Sequence, residues 1–483
     1  MNDSAWQYLD ERRFIECDTL EIEGFVTVVD LELRQHYFLL TPDPSCCIGC
    51  IPRSGEPAIE VFMRSPVTLT GDCIRLSGEL RYLEDDACGW QYQLRDAILT
   101  EDQPPVEVAP SGPLRIGRRN FLLASAAAGL AACASDPPPP TIAADAKMTG
   151  VQIVVAQRTV DDHSHAGRVI PTRTAADPNV ADQRPFVDLA GPMRAGGLAI
   201  VCLAVVADTP VTREVDGRIR AMREPQPGEL YKWAEMAYER AHRLIDGQGI
   251  LTITDPASLQ EADYETPGAI IASEGADFLE GQVERVDEFF RRQGLRQLQL
   301  VHYRINELGD IQTAPPKHGG LTPFGVDVIK QCNELGMVVD VAHATFDVVK
   351  RAAEVCSSPL LLSHTSLSLN PPPLSRLISP DHARVIAKTG GVIGIWPPTS
   401  IFPDLQALAQ GMARMVEVVG VDHVGLGSDM LGLTTSSALK SYADLPHLAD
   451  AMLQTGFNAQ EVGKILGGNY IRLFLASIQT AFY

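Results

Sequence analysis

The clearest hydrophobic pattern in the chain is a short apolar run, an amphipathic run and a second apolar run. The first, over residues 337–342, is rich in β-branched residues and is followed by His343. The amphipathic run over 347–355 has helical spacing, and the second apolar run over 359–362 leads to His364. This pattern predicts a strand, a helix and a parallel strand. Both histidines would then lie at the same end of neighbouring strands, where barrel enzymes carry their active sites.

The same alternation of strands and helices continues along the chain from about residue 150. Eight short runs are candidate strands, at 158–162, 197–206, 268–273, 296–302, 337–342, 359–363, 391–396 and 423–428. Further stretches with helical spacing lie at 228–246, 278–293, 323–335, 380–388 and 404–419. These units predict an α/β fold, a TIM-type (β/α)8 barrel with insertions over residues 148–483.

The first hundred residues have a different pattern, with short alternating runs interrupted by Gly, Pro and Asp. Such runs predict a small all-β domain over residues 1–100, which could be a barrel of the oligonucleotide-fold type. Its Cys46, Cys47 and Cys50 could hold a soft metal or be inert, because no second cysteine or histidine pair nearby completes a four-ligand site. The sequence assigns this domain no function.

Composition argues against some classes of partner and of protein. The formal net charge is −21, which argues against nucleic acid as a partner. No apolar run reaches the ~20 residues that a membrane-spanning helix needs. The ten cysteines suggest no disulfide framework, and Cys202, Cys332 and Cys356 lie in apolar or helical contexts that are typical of buried thiols.

Residues 101–147 indicate a linker that contains an export signal. Arg118 and Arg119 precede an apolar run that ends at Cys133, an arrangement that resembles a twin-arginine signal with a lipoprotein cleavage site. We therefore expect export to the periplasmic face of a bacterial membrane and a lipid on Cys133, with Pro-rich 136–140 as a tether. Because the signal is internal, either the residues before it form a cytoplasmic domain fused ahead of the signal, or the true start of the protein lies later. A buried Ala-rich helix is the alternative interpretation.

Residues that can bind metal follow six of the eight predicted strands. They are His163 and His165 at strand one, Glu274 at strand three, His302 at strand four, His343 at strand five, His364 at strand six and Asp429 at strand eight. The carboxyl ends of barrel strands meet at one rim, so these side chains should converge. Imidazole and carboxylate ligands suit zinc, and a carboxylate can bridge two ions. The pattern therefore predicts a metal centre at this rim.

Nine motifs of the barrel, taken together, resemble the membrane (renal) dipeptidase family of zinc peptidases, peptidase family M19. They are DDHSH at 161–165, SEG at 273–275, LVHY at 300–303, GLTPFG at 320–325, GMVVDVAH at 336–343, PLLLSH at 359–364, GGVIGI at 390–395, DHVGLGSD at 422–429 and GGNYIR at 467–472. The resemblance covers about residues 158–476. It implies a TIM-type barrel, two zinc ions per chain and hydrolysis of dipeptides, with tolerance of D-residues at the carboxyl end. A homodimer is a further expectation.

The resemblance also implies a role for each residue at the rim. His163 and His165 would bind the first ion, His343 and His364 the second, and Glu274 would bridge the two. His302 would polarise the substrate and stabilise the oxyanion, Arg376 would hold the terminal carboxylate of the substrate, and Asp429 would be the acid and base. The chemistry agrees, because an arginine fork matches a carboxylate and a carboxylate beside cations stays ionised until it accepts a proton.

One position departs from the family, because His165 stands where the family usually has Asp. The exchange raises the net charge of the site by one and puts the metal preference and the substrate range in question. Two other functions therefore remain open. One is a different amidohydrolase-type reaction, on N-acyl amino acids, lactones or β-lactams. The other is a degenerate metal-bearing barrel that acts as a binding protein.

Overall fold

The computed structural model describes most of the predicted barrel and the strands of the first domain. The described residues are 6, 9, 16–27, 35–43, 57–69, 73–82, 92–100, 148–165, 188–215, 218–433 and 436–480. Cys46, Cys47, Cys50 and the signal-like residues 118–133 lie outside them, so the cysteine site, export and lipid attachment stay predictions, as do the domain boundaries. Within the described ranges, no helix has both the length and the apolar character needed to cross a bilayer.

The strands of the first domain form a closed five-stranded barrel. They are β1 (Glu16–Thr27), β2 (Gln35–Thr41), β3 (Ile59–Val67), β4 (Cys73–Tyr82) and β5 (Tyr92–Leu99). The order is β1-β2-β3-β5-β4 with β4 returning to β1, and only β3 and β5 pair in parallel. Alternate residues, such as Phe38 and Leu40 on β2, point into a common apolar core. The structure thus confirms the small all-β fold.

The second part of the chain alternates strands and helices as its sequence predicts. Its strands are β6 (Val160–Ser164), β7 (Ile200–Val206), β8 (Thr212–Val215), β9 (Arg218–Ala221), β10 (Leu251–Thr252), β11 (Gly268–Glu274), β12 (Gln297–Gln299), β13 (Val338–Asp340), β14 (Leu361–Thr365), β15 (Val392–Ile395) and β16 (Val424–Leu426). Its helices are α1 (Gly150–Ala156), α2 (Ala190–Gly196), α3 (Glu229–Gly247), α4 (Pro256–Glu261), α5 (Glu284–Arg292), α6 (Pro323–Leu335), α7 (Phe346–Val355), α8 (Pro380–Lys388), α9 (Leu405–Val419), α10 (Leu445–Thr455), α11 (Ala459–Gly463) and α12 (Asn469–Thr480).

Eight parallel strands form the wall of a TIM-type barrel. Their order is β6-β7-β11-β12-β13-β14-β15-β16, with β10 beside β11 and a separate β8–β9 hairpin. Two backbone hydrogen bonds join the first strand to the last, from His165 N to the Met430 carbonyl and from Asp429 N to the His163 carbonyl, both at 2.9 Å. All eight predicted strands are present. The barrel therefore closes at the same rim that carries the predicted metal ligands.

Local signals set the helix boundaries. The side chains of Thr322 and Ser379 cap α6 and α8, and a proline occupies the first turn of each helix. The bounds of both helices agree with those predicted from their spacing. The helix predicted at 278–293 is shorter, because Glu280 and Gly281 adopt positive φ angles of 45° and 76° and end the preceding turn. Regular helix begins only at Glu284.

The strands bury apolar side chains on both of their faces. On β7, Val201 and Leu203 pack toward the surrounding helices, and Cys202 and Ala204 belong to the cluster inside the barrel. Helix α12 adds Tyr470 to the inner cluster, where its hydroxyl donates to Gln297 Oε1 at 2.7 Å. Cys202 is buried as predicted for a core thiol, and the same holds for Cys332, with Cys356 half-buried.

We expect Gly427→Ala to destabilise the barrel by about 2–3 kcal/mol, because a Cβ at this position, just after β16, would overlap the Ser363 carbonyl group of β14. Backbone atoms within the barrel wall cannot move aside as a flexible side chain can. The matched control is Gly247→Ala, at the end of α3, where an added Cβ meets no atom within 4 Å. Urea unfolding of both variants checks the difference, and equal stabilities would contradict the packing argument.

Candidate metal centre

The structure brings all eight predicted site residues to one end of the barrel. His163 and His364 lie within β6 and β14, Glu274 is the last residue of β11, and His165, His302, His343, Arg376 and Asp429 lie in the segments after β6, β12, β13, β14 and β16. Each residue is at most 9% exposed. Parallel strands place these positions at the same rim, so residues far apart in the chain become neighbours.

The carboxylate of Glu274 is the centre of the cluster. Five imidazole Nε2 atoms surround it, with His343 at 3.1 Å, His302 at 3.3 Å, His364 at 3.4 Å and His163 at 3.6 Å from Oε1, and His165 at 3.0 Å from Oε2. One carboxylate cannot accept a separate hydrogen bond of good geometry from each of five rings. Imidazole nitrogens arranged around one carboxylate can instead bind the same metal ions as the carboxylate.

The histidines also face one another in pairs. The Nε2 atoms of His163 and His165 are 3.1 Å apart, and those of His343 and His364 are 3.0 Å apart. Asp429 Oδ1 lies 3.4 Å from His165 Nε2. The donor atoms fall into three overlapping groups, His163–His165–Asp429, His163–Glu274–His364 and Glu274–His302–His343, with the atoms of each group within 4.8 Å of one another.

The hydrogen bonds of His165 show whether a metal cation fits between its ring and the neighbouring carboxylates. Its Nδ1 lies 2.9 Å from the Ala204 carbonyl oxygen, which only accepts, so Nδ1 carries the proton. In the neutral ring, the Nε2 lone pair then points at carboxylate oxygens of Glu274 and Asp429. Three acceptors that face one point are satisfied by a cation between them. The donor set therefore fits a metal ion.

The spacing of the donors agrees with zinc. Ligands about 2.1 Å from a tetrahedral zinc lie about 3.4 Å from one another. The separations around Glu274 span 3.0 to 3.6 Å. Imidazole nitrogen and carboxylate oxygen are both ligands that zinc accepts. The geometry therefore supports a zinc-type centre without fixing the number of ions.

The electrostatics of the cluster keep Glu274, His343 and His364 in the forms that bind metal. Burial raises the pKa of Glu274, but the surrounding imidazoles, His302 first, outweigh it and hold the pKa well below its usual range. Burial, reinforced by Arg376, holds the pKa of His343 well below its usual range, and burial does the same for His364. An ionised carboxylate beside neutral imidazoles is the protonation state that metal binding requires.

His302 differs from the other four histidines in its outer partner. Its Nδ1 lies 2.7 Å from the Oδ1 of Asp208, a fully buried carboxylate that also accepts from the backbone amides of Tyr303 and Arg304 at 3.0 Å. Burial lowers the pKa of His302, but Asp208 and then Glu274 outweigh burial and raise it. For His165 the increase, to about 10, comes from Glu274 and Asp429, which both belong to the cluster itself. His302 is thus prepared to be a hydrogen-bond donor.

Asp208 was absent from the candidates found in the sequence, although a signal for it exists. It lies two residues after β7, the second strand of the barrel. No ligand was predicted at the end of this strand. Sequence reasoning also missed Tyr303 and Gln312, which lie close to Arg376. Their loop positions have no periodicity, and only the folded chain shows what they contact.

Arg376 lies beside the metal cluster on the wall of a pocket of about 760 Å³. Its guanidinium donates to Gln312 Oε1 at 2.8 Å and to the His364 carbonyl at 3.3 Å. Asp429 and Tyr303 line the same pocket. The structure thus places a buried cation and a carboxylate, next to the imidazole cluster, in a space large enough for a small peptide.

Two strand-end residues of the cluster have unusual backbone conformations. His343 has a φ of 66° and Asp429 a φ of 48°, a left-handed region that non-glycine residues seldom adopt. Strain of this kind persists where the surrounding structure over-determines the residue, and it concentrates at functional sites. Both residues turn their side chains into the cluster at the point where the strand ends.

A second layer of carboxylates supports the cluster from inside the barrel. Asp161 accepts from the Ser428 amide and hydroxyl and, at 2.7 Å, from the Tyr442 hydroxyl, which ties β6 to the segment after β16. Burial raises the pKa of Asp161 to about 6 despite these bonds. Asp340 similarly accepts from the Ser363 amide at 3.1 Å, beside His364. These contacts fix the backbone on which the ligands are mounted.

Fold and site together define the class of a metal-binding (β/α)8 barrel. The family model "Membrane dipeptidase (Peptidase family M19)" matches residues 157–481, so the chain belongs to this family. The resemblance seen in the sequence motifs is thereby confirmed.

Two named fungal relatives are similar over part of their length. The chain is 31% identical to dipeptidase tcpJ of Claviceps purpurea over 214 residues, 42% of this chain and 50% of that protein. It is 25% identical to dipeptidase aclJ of Aspergillus oryzae over 272 residues, 53% of this chain and 64% of that protein. The chain thus spans between half and two thirds of the length of these relatives.

Solved structures confirm the barrel fold. The probable dipeptidase PvdM from Pseudomonas aeruginosa is similar with a TM-score of 0.57 at 17% identity, over 69% of this chain and 98% of that one. A metallo peptidase from Rhodobacter sphaeroides, bound to a phosphinate mimic of L-Ala-D-Ala, is similar with a TM-score of 0.55 at 19% identity, over 66% and 99% of the two chains.

We expect Glu274→Gln to reduce metal affinity by at least about tenfold. Loss of an outer partner of a ligand already costs ~10–100-fold, and the amide both removes the central negative charge and turns a donor group toward imidazole nitrogens. Metal analysis of the full chain after dialysis measures the effect. Glu239→Gln on the exposed side of α3 is the matched control, and a Glu274 variant that retains the full metal content would contradict the assignment.

Proposed function

We propose that this chain is a metal-dependent dipeptidase that hydrolyses the peptide bond of dipeptides. The observation that carries the proposal is the convergence of five imidazoles on Glu274, beside a pocket that Arg376 and Asp429 line. The relatives tcpJ and aclJ are named dipeptidases. The dipeptide mimic bound to the Rhodobacter sphaeroides relative supports a substrate of the same kind, with a D-residue accepted at the carboxyl end.

We infer two zinc ions per chain. His163 and His165 would hold one ion, His343 and His364 the other, and Glu274 would bridge them. When bound, such ions acidify water and polarise a carbonyl oxygen. The short Nε2–Nε2 separations within each pair, 3.1 Å and 3.0 Å, support this division of the ligands.

Arg376 is suited to bind the terminal carboxylate of a dipeptide. Its contacts to Gln312 and to the His364 carbonyl use one N–H of each terminal nitrogen and hold the guanidinium plane in position. Tyr303 is a third side chain in hydrogen-bond contact with the guanidinium, and a substrate carboxylate would bind among these groups. Arg376 would thereby orient the scissile carbonyl toward the metal cluster.

His302 and Asp429 would move or stabilise charge at the reacting carbonyl. With Nδ1–H held by Asp208, a protonated His302 can donate from Nε2 to the oxyanion that develops during attack. Asp429 lies on the pocket wall beside His165, where its carboxylate can accept a proton from water and return it to the leaving amine.

His165 modifies the site rather than removing a ligand. Its Nε2 lies as close to the central carboxylate as any other imidazole, and its ring is held by the Ala204 carbonyl. A neutral imidazole in place of a carboxylate leaves the centre more positive by one unit. We expect this difference to affect the choice of metal and the substrate range.

The proposed function predicts that the full chain cleaves dipeptides. EDTA should abolish cleavage, because the proposed reaction depends on metal ions held by the cluster. Metal analysis combined with a panel of L-L and L-D dipeptides checks this. N-acyl amino acids, lactones and β-lactams belong in the same panel as competitors. Faster turnover of one of them would favour a different amidohydrolase-type reaction, and bound zinc without any turnover would favour a binding protein.

We expect His302→Ala to lower kcat by ~10²–10³, the effect of losing one oxyanion donor. Asp208→Asn should lower kcat less, by about tenfold or more, because the imidazolium loses its ionic partner and its fixed orientation. In both variants kcat should fall more than KM rises, which steady-state kinetics measures.

The control for these two variants is Asp381→Asn, an exposed carboxylate on α8 whose loss leaves the site untouched. Unchanged melting temperatures would show that the barrel remains folded. If the Asp208 variant had the same kcat as the unmodified protein, Asp208 would have no role in the reaction.

A further inference from the structure

The wall of the pocket beside the metal cluster is basic, although the chain as a whole is strongly acidic. The net charge of the chain is −21. The pocket is nevertheless lined by five cationic side chains, Arg218, Arg220, Arg304, Lys317 and Arg376, and by only two carboxylates, Glu224 and Asp429. A local excess of positive charge in an acidic protein attracts an anion to this place.

Two of these cations already have partners. Arg304 is paired with the buried Asp277, with Glu307 and with Glu224, each at 3.0 Å. Arg376 is held by Gln312 and by a backbone carbonyl, and under the proposed function it takes the terminal carboxylate of the substrate. Neither residue therefore accounts for the remaining positive charge.

Three cations on the wall remain. Arg218, Arg220 and Lys317 are exposed, and within the part of the chain that the structure describes none has a carboxylate within ion-pair distance. Arg218 and Arg220 are two residues apart on β9, so their side chains leave the same face of the hairpin. They present two guanidinium groups side by side at the mouth of the pocket.

The hairpin that carries them contains a like-charge pair. Arg220 lies directly opposite Arg213 in the β8–β9 register. Arg213 is turned back to the carbonyl oxygens of Thr209 and Thr212, at 3.1 and 2.8 Å. Like charges directly opposite each other destabilise a hairpin. An anion bound to the guanidinium groups would offset that repulsion.

We propose that the preferred substrates are acidic dipeptides, whose second carboxylate is bound by Arg218 and Arg220 with help from Lys317. The proposal rests on the dipeptidase function and specifies its substrate class. The pocket of about 760 Å³ has room for a side chain beyond the dipeptide backbone. The terminal carboxylate goes to Arg376, so a side-chain carboxylate is the group left for the basic hairpin.

The test compares isosteric pairs that differ only in charge, Ala-Asp against Ala-Asn and Asp-Ala against Asn-Ala, in L-L and L-D forms. We expect kcat/KM to favour the acidic member of at least one pair, and the preference to weaken as salt is raised. In R218Q/R220Q the ratio of acidic to amide substrate should fall by about three- to tenfold, as expected for two partly exposed ion pairs. The change should appear mainly in KM.

The matched control is R414Q, which removes one exposed charge on α9 away from the pocket and should leave the ratio unchanged. Binding of phosphinate mimics of the same dipeptides, measured by calorimetry on the full chain, gives a readout that needs no turnover. Equal binding of acidic and amide mimics, or a preference that survives R218Q/R220Q, would overturn the proposal. Tighter binding of acidic mimics without cleavage of any dipeptide would instead refute the dipeptidase function and leave the anion site standing.

Discussion

The central constraint in this structure is the surrounding of one carboxylate by five imidazole nitrogens. Glu274 ends a central barrel strand, and the rings around it come from segments spread over two hundred residues of sequence. Nitrogen lone pairs and carboxylate oxygens repel at these distances unless protons or metal ions lie among them. The cluster is therefore suited to hold metal ions, and the strands around it are arranged to hold that geometry.

Rigidity of the rim follows from how the barrel closes. The last strand joins the first through backbone bonds at His163 and Asp429, two of the residues that carry the chemistry. Below them, the buried Asp161 binds the Ser428 and Tyr442 side chains, so the closing strands cannot shift independently. The left-handed backbone at His343 and Asp429 is tolerated because the packed strands on either side determine it.

The distribution of charge separates the site from the rest of the surface. The chain carries a large negative charge, yet arginine side chains are concentrated on the wall of the pocket beside the metal cluster. Asp208 stabilises the positive form of His302, and burial, reinforced by Arg376, disfavours a charged His343. The result is an environment in which some imidazoles are suited to bind metal and one is suited to donate a proton.

The residues that line the rim could be predicted from the sequence, but their roles could not be separated there. Each of His163, Glu274, His343 and His364 lies at the end of a predicted strand, and run length and strand-end position are local properties. His302 occupies an equivalent strand end, and geometry alone groups it with Glu274 and His343. The proposed role of His302 as a hydrogen-bond donor depends on the carboxylate of Asp208, which is distant in the sequence.

The sequence by itself determined the barrel, the strand ends and the set of polar residues they carry, because hydrophobic periodicity is written in consecutive residues. Only the tertiary structure decided which of these residues meet. The bond between Asp208 and His302 spans 94 positions, and no spacing rule connects such residues. The same is true of the basic hairpin, since only closure of the barrel brings Arg218 and Arg220 to the pocket that Arg376 and Asp429 also line.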